Sequence, residues 1–192
     1  MESSATDRRV RRTKAQLRAA LNQLLLEKSP EEITVTELTR LADVNRGTFY
    51  CHYKDVPDMV AQMESELFAE FTRLMDAYSA KELRQGLGPI LEDVFFFIQR
   101  NVGPVPIHAL RQEPAFLERF KALLREKVSR EWNGLYSFTD TDQREFYLSF
   151  LVGGVVGLIQ LWMESGQKES PQEMAALAES MILHGIQPLE KF

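Results

Sequence analysis

The sequence predicts an all-α protein of about nine helices, a short three-helix unit at the N-terminal end followed by a larger helical body. Three observations predict it. Apolar residues recur with the 3.6-residue period of a helix in almost every long segment. Helix-start signals follow one another at short range, and no segment alternates apolar and polar residues as a half-buried strand would.

Leu17, Leu21, Leu24 and Leu25 keep i, i+4, i+7, i+8 spacing and make residues from about 9 to 28 an amphipathic helix. "KSPEE" interrupts it. Thr34 is the N-cap of the next helix, Glu37 completes a capping box, and Ile33 with Leu38 forms a hydrophobic staple. Asn45 repeats the cap at once, with Val44 and Phe49 in the staple positions. Only Ala42, Asp43 and Val44 separate the two short helices, and Asp43 falls where the turn calls for left-handed backbone. A fourth helix begins near residues 55–57 with Pro57 in its first turn, and runs to about residue 80 through Val60, Met63, Leu67, Phe71, Leu74, Met75 and Tyr78. Gly86, Gly88 and Pro89 punctuate the chain before an aromatic-rich helix bearing Leu91, Val94, Phe95 and Ile98, which "NVGPVP" ends. A short segment near Ile107–Leu110 follows. Helices from about Pro114 to Trp132, Thr141 to Glu164 and Pro171 to His184 complete the prediction.

Composition narrows the function classes. Of the 192 residues 44% are hydrophobic and 27% charged, the balance of a chain that buries a core. The single cysteine, Cys51, excludes an intramolecular disulfide and a cysteine-rich metal site, and fits a reducing cytoplasm. No signal peptide is expected, because the first twelve residues carry four arginines and no apolar segment of the right kind follows. The net charge of −5 is divided unevenly: residues 1–54 hold ten Lys/Arg against seven Asp/Glu, and residues 55–192 hold thirteen against twenty-one. A basic head on an acidic body points to a polyanion partner for the head alone.

The stretch "ADVNRGTFYCHYKD", residues 42–55, says which polyanion. Two short helices joined by a tight turn, after a longer helix, form a helix-turn-helix unit whose second helix enters the DNA major groove. Gly47 in the first turn of that helix costs about 1 kcal/mol against alanine, a cost explained if the bare Cα lets backbone approach phosphates. Thr48, Tyr50, Tyr53 and Lys54 can donate to phosphate oxygens, and Asn45 and Arg46 can reach base edges. The alternative is that Tyr50 and Tyr53 are half-buried packing residues beside a solvated charged surface.

"ITVTELTRLADVNRGTFYCHYKD" resembles the DNA-binding region of the TetR/AcrR family of bacterial transcriptional regulators, and "ADVNRGTFYCHY" is similar to that family's small-Gly-Val-polar-x-Gly-Thr-aromatic-Tyr-x-His-aromatic pattern. The match covers about residues 9 to 68. It implies a homodimer with one reading head per subunit, a two-fold symmetric (palindromic) operator in double-stranded DNA, and a body whose small-molecule effector controls head spacing. It implies a helix-turn-helix DNA-binding domain over residues 8–54 and an effector-binding and dimerisation domain over 55–192. By position, Thr34 and Thr36 hold phosphates, Asn45 and Arg46 face bases, Thr48 and Tyr50 meet the groove or its edge, and His52, Tyr53 and Lys54 meet the backbone, with Gly47 letting the chain approach phosphates. The lead-in Arg8–Lys14, with Arg11 and Arg12, meets phosphates or the adjacent minor groove. Three positions depart from the pattern: Thr39 for a small alanine, Asp43 for the turn glycine, and Val56 where a lysine is common.

In the body, "FYLSFLVGGVVGLIQLWM", residues 146–163, is nearly continuous apolar sequence with Gly153-x-x-x-Gly157 inside it. Acidic Glu145 and Glu164 flank it and no basic cluster follows, so the segment reads as a helix buried on two sides rather than a membrane span. The resemblance places it, with the last helix, in a dimer's four-helix bundle, and nominates Gly153, Gly154, Gly157, Leu158, Leu161, Trp162, Leu177, Met181 and His184 as interface. "FFF" at 95–97 and the methionines Met59, Met63 and Met75 read either as core or as lining of a cavity for a largely apolar effector, with Met63, Phe71, Met75, Phe95, Ile98 and His108 as candidates. Catalysis is not expected: Cys51 and His52 are helix neighbours that point apart, and the three histidines lack metal-ligand spacing, so no cofactor is implied. The competing expectation is a co-regulator that keeps the fold but binds a protein partner in place of DNA.

Overall fold

The computed structural model describes residues 2–101, 114–132 and 140–185. Among them are nine α-helices, here α1 (Glu2–Leu24), α2 (Val35–Leu41), α3 (Arg46–Tyr50), α4 (Val56–Asp76), α5 (Ala80–Leu83), α6 (Gly88–Asn101), α7 (Pro114–Trp132), α8 (Thr141–Glu164) and α9 (Pro171–His184), and no strand. The all-α expectation holds, and the last three helices begin and end where the sequence placed them. The segment Ile107–Leu110 lies outside the described residues.

One compact unit takes in the chain up to Leu67 and a second runs on from Phe68; α4 contributes residues to both. The first unit is built on a core of Leu17, Leu21, Leu25, Leu38, Phe49 and Met59. Ile33, Leu38 and Phe49 are buried and Val44 packs against them, so both staples form. Asp43 has φ +52°, the left-handed turn residue expected of it. Thr39, in place of a small alanine, is buried and its hydroxyl donates to the Val35 carbonyl at 2.8 Å. The added polar atom is satisfied within its own helix.

Four local features differ from the sequence expectation. Helix α1 starts at Glu2 rather than near residue 9 and ends at Leu24 in a turn rather than running to 28. Thr34 accepts the Glu37 N–H at 3.2 Å, but Glu37 does not close the box, because its carboxylate accepts from Lys28 Nζ at 2.6 Å. A reciprocal box forms instead at Ser29 and Glu32, starting a single 3₁₀ turn, Pro30–Glu32. Helix α4 stops at Asp76, and Ser79 with Glu82 starts the short α5, a capping box legible in "SAKE".

In the second unit α6 lies along α9, and α7 along α8. The start of α6 is held by a side chain: Glu179 of α9 accepts the Leu87 and Gly88 N–H groups, both at 2.7 Å. This carboxylate complements the positive end of the α6 dipole. Tyr78 donates to Asp93 Oδ2 at 2.7 Å, and burial and the adjacent carboxylate push its phenol up to about 12.

Helix α8 is long and apolar enough to cross a membrane, and no other helix among the described residues is. Its faces divide in two. Leu148, Val152, Val155, Val156, Ile159 and Trp162 pack into the unit, while Phe146, Phe150, Gly153, Gly154, Gly157 and Leu161 are exposed.

Candidate functional site

Caps fix the geometry of the reading motif. Asn45 Oδ1 accepts the Gly47 N–H at 2.7 Å and starts α3. That bond takes up one of the two lone pairs of the amide oxygen and leaves the NH₂ donors of Asn45 unused by the cap. A Cβ at residue 47 would stand 3.2 Å from Asn45 Oδ1, so the bare Cα serves the cap as well as any approaching backbone.

Helix α3 sorts its residues by face. Phe49 is fully buried, whereas Arg46, Gly47 and Tyr50 are exposed and Thr48 is half-buried. Arg46 Nη2 donates to Tyr50 Oη at 3.3 Å with the guanidinium 5.9 Å from the ring centroid, so a cation and a phenol lie side by side on the outer face. Arg11 and Arg12 on α1, Thr34 and Thr36 at the start of α2, and Lys54 beyond α3 are also exposed, and His52 is half-buried. The Thr34 hydroxyl accepts in its cap and keeps its hydrogen for an outside acceptor.

Tyr53 does not join them. It is 3% exposed, its ring packs 5.5 Å from Phe49, and burial pushes its phenol above the ordinary range. The expected backbone contact is therefore a core anchor. The sequence carried the signal, since Tyr53 stands four residues after Phe49 and a helical turn puts both on one side. Lys14 of the basic lead-in is also turned inward, 5.8 Å from the Tyr53 ring centroid and 3.9 Å from Glu66.

Val56, at the position where the resemblance leads one to look for a lysine, is buried. The start of α4 belongs to carboxylates: Asp55 Oδ1 accepts the Asp58 N–H at 2.8 Å, and Asp58 Oδ2 accepts the Lys54 N–H at 2.9 Å. The Lys54 backbone bond holds the Asp58 carboxyl below its usual range. Two negative groups thus stand where a helix start would otherwise receive a phosphate.

Of the six named lining candidates, Met75 borders an aliphatic cavity of the body, while Phe96 and Phe97 of the FFF run border a second, more polar space with Glu70, Arg73 and Arg100. The cavity beside Met75, about 100 Å³, is walled by aliphatic side chains including Leu87, Ile90, Val94, Leu124 and Val152. Phe71 is packed in the core, its ring tilted against Phe120 at 4.3 Å and Phe97 at 5.3 Å, and Phe95 meets Trp162 edge-on at 5.3 Å. Ile98 is buried on α6, Met59 and Met63 belong to the core of the first unit, and His108 lies outside the described residues. Phe71, Phe95 and Ile98 are core here, and beside Met75 the space is bounded mainly by Leu, Ile and Val.

The interface candidates divide likewise. Gly153, Gly154, Gly157, Leu161, Leu177, Met181 and His184 are exposed and Leu158 is half-buried. Trp162 is 2% exposed and donates its indole N–H to the Glu169 carbonyl at 2.9 Å, so it belongs to its own subunit's core. Sequence reasoning missed Phe146 and Phe150, 75% and 79% exposed, which continue the glycine face of α8 by helical steps.

A capped two-helix reading motif, carried ahead of a separate helical body with its own apolar cavity, defines a transcriptional regulator of the helix-turn-helix class. Residues 88–184, half of the 192-residue chain, match the TetR-type family profile described as "Transcriptional regulator C-terminal region". The chain belongs to the TetR family of transcriptional regulators. It is 26% identical over 184 residues to the uncharacterised HTH-type transcriptional regulator YxbF of Bacillus subtilis (strain 168), covering 88% of this chain and 44% of that protein, so it spans less than half of that relative's length. In fold it is similar to a TetR transcriptional regulator from Streptococcus agalactiae 2603V, at 23% identity and TM-score 0.62 over 94% of this chain and 98% of that one. It is also similar to FadR from Bacillus subtilis in complex with stearoyl-CoA, at 17% identity and TM-score 0.65 over 90% and 99%.

Proposed function

We propose that the chain is a DNA-binding repressor that reads a two-fold symmetric operator as a cytoplasmic homodimer and is released by a small apolar effector. The observation that carries the DNA reading is the sorting of α3 and the turn after it, with Phe49 and Tyr53 anchored inward while Arg46, Gly47 and Tyr50 are exposed, as are Thr36, Lys54 and Arg12. The exposed stripe Phe146–Phe150–Gly154–Leu161 on α8, with Leu177 and Met181 on α9, supports self-association. The first unit serves as reading head and the second as sensor. A ligand that favours a head spacing unable to reach two major grooves one turn apart, about 34 Å, must weaken DNA binding by linkage.

Selecting fragments from random DNA with the purified protein tests the reading, and a symmetric consensus is the expected outcome. Arg46→Ala relaxes the consensus at one base position per half-site by about 1–3 kcal/mol, measured by competition between cognate and altered duplexes. Lys54→Ala weakens all sequences alike and lowers the salt slope by about 1. The carboxylates at the start of α4 favour the rival co-regulator reading, and a flat salt dependence with no footprint would select it. For the dimer, Leu161→Glu weakens self-association at least about thirtyfold, the size of an interface hot spot, measured by sedimentation with helix content unchanged.

A further inference from the structure

We propose that the cavity beside Met75 in the second unit takes an uncharged, unbranched aliphatic chain, and that Lys127 serves it as wall and not as counter-ion. The proposal rests on the reading of that unit as a sensor and names the chemistry it would sense. The chain has twelve phenylalanines, five tyrosines and two tryptophans, yet among the described residues no aromatic side chain lines this space. Leu87, Ile90, Val94, Leu124, Val152 and Val155 represent a lining of Leu, Ile, Val and Met, interrupted by one charged residue, Lys127. A flat aromatic ligand finds no ring to stack on, and a cationic one finds neither ring nor carboxylate in the wall.

Lys127 would be the obvious partner for a carboxylate head, but its ammonium is already engaged. Nζ donates to the Tyr78 carbonyl at 2.8 Å and lies 3.1 Å from Glu131 Oε1 and 3.8 Å from Asp76 Oδ1. Arg130 pairs with the same two carboxylates, Asp76 at 2.7 Å and Glu131 at 3.7 Å, so two cations and two anions balance. A ligand carboxylate would bring a surplus negative charge next to Glu131 and Asp76 and would have to displace a bond already made. What Lys127, itself 6% exposed, offers the cavity is its hydrocarbon stem.

Size points the same way. An apolar cavity of about 150 Å³ accepts benzene, and by that yardstick about 100 Å³ accepts roughly four non-hydrogen atoms. The enclosed part therefore fits the end of a linear chain.

The test is calorimetric titration of the full-length, DNA-free protein with straight-chain alkanols from butan-1-ol to octan-1-ol. Hexanoate, hexylammonium and benzyl alcohol serve as comparators at pH 7.5. Saturable one-to-one binding is expected, tightening about fourfold per methylene over the shorter members. Hexan-1-ol should bind at least tenfold tighter than each comparator. Val152→Phe, which fills the space, should abolish binding, and Val155→Leu, a milder fill, replaces it if that variant does not fold. Lys127→Met should retain hexan-1-ol binding. The proposal is overturned if hexanoate binds as tightly as hexan-1-ol, if no alkanol saturates, or if the filling variants bind undiminished. Because the titration contains no DNA, such a failure leaves operator recognition standing, and a failed operator selection leaves the ligand result intact.

Discussion

Phe49→Ala is expected to abolish operator binding without touching a single outward-facing group. Phe49 is fully buried, in edge contact with Tyr50 at 5.5 Å and tilted on Tyr53 at 5.5 Å, and it sits in a core with Leu21, Leu38 and Met59. Truncating a buried phenylalanine costs about 3–5 kcal/mol, a large share of the roughly 5–15 kcal/mol that holds a domain together. Helix α3 has only five residues and no stability of its own, so its orientation depends on this anchor. Titration against labelled operator at low salt should show affinity lost for cognate and random duplex alike, with the first unit melting early. Arg46→Ala provides the contrast, since it alters which base is preferred and leaves melting unchanged. Native melting together with lost binding for Phe49→Ala would place the residue at the DNA and reverse the two faces of α3.

Trp162→Ala is the second large effect, and it discriminates between the position expected from the sequence and the one found. As an interface residue, its loss would separate subunits that stay folded. As a core residue, in edge contact with Phe95 and bonded to the Glu169 carbonyl, its loss costs about 3–5 kcal/mol of subunit stability and strands a carbonyl at the α8–α9 turn. The second outcome is expected: a melting temperature lower by about 6–20 °C, measured calorimetrically, with the sedimenting mass of the folded protein unchanged. A folded monomer from Trp162→Ala would return the indole to the contact between copies.

These two residues also show what the sequence made legible. Periodicity and caps placed α7, α8 and α9, and the repeated staple placed α2 and α3, because each signal is local and spans about one helical turn. The resemblance drew attention to Tyr53 and Trp162 by position in a pattern, but a pattern does not say which way a side chain turns. Tyr53 is turned inward by its four-residue offset from Phe49, which the sequence did contain. Trp162 is turned inward by Phe95, sixty-seven positions earlier, which no local signal reports. The cavity was hidden for another reason. Spacing identifies the residues that face inward, and a void arises where inward-facing residues fail to meet. Only Met75 was anticipated, and the Leu, Ile and Val around it look like any other core in sequence.

The two aspartates that close the start of α4 have a consequence for kinetics. Their carboxylates occupy the start of α4, where an ammonium or open amides would have supplied an electrostatic latch for a polyanion. A head built this way leaves a wrong sequence sooner, because the grip that ignores sequence is the part it has given up. In the proposed DNA-reading role, searching a chromosome then favours short visits, with long dwell times reserved for sites at which Arg46 and its neighbours would find their bases.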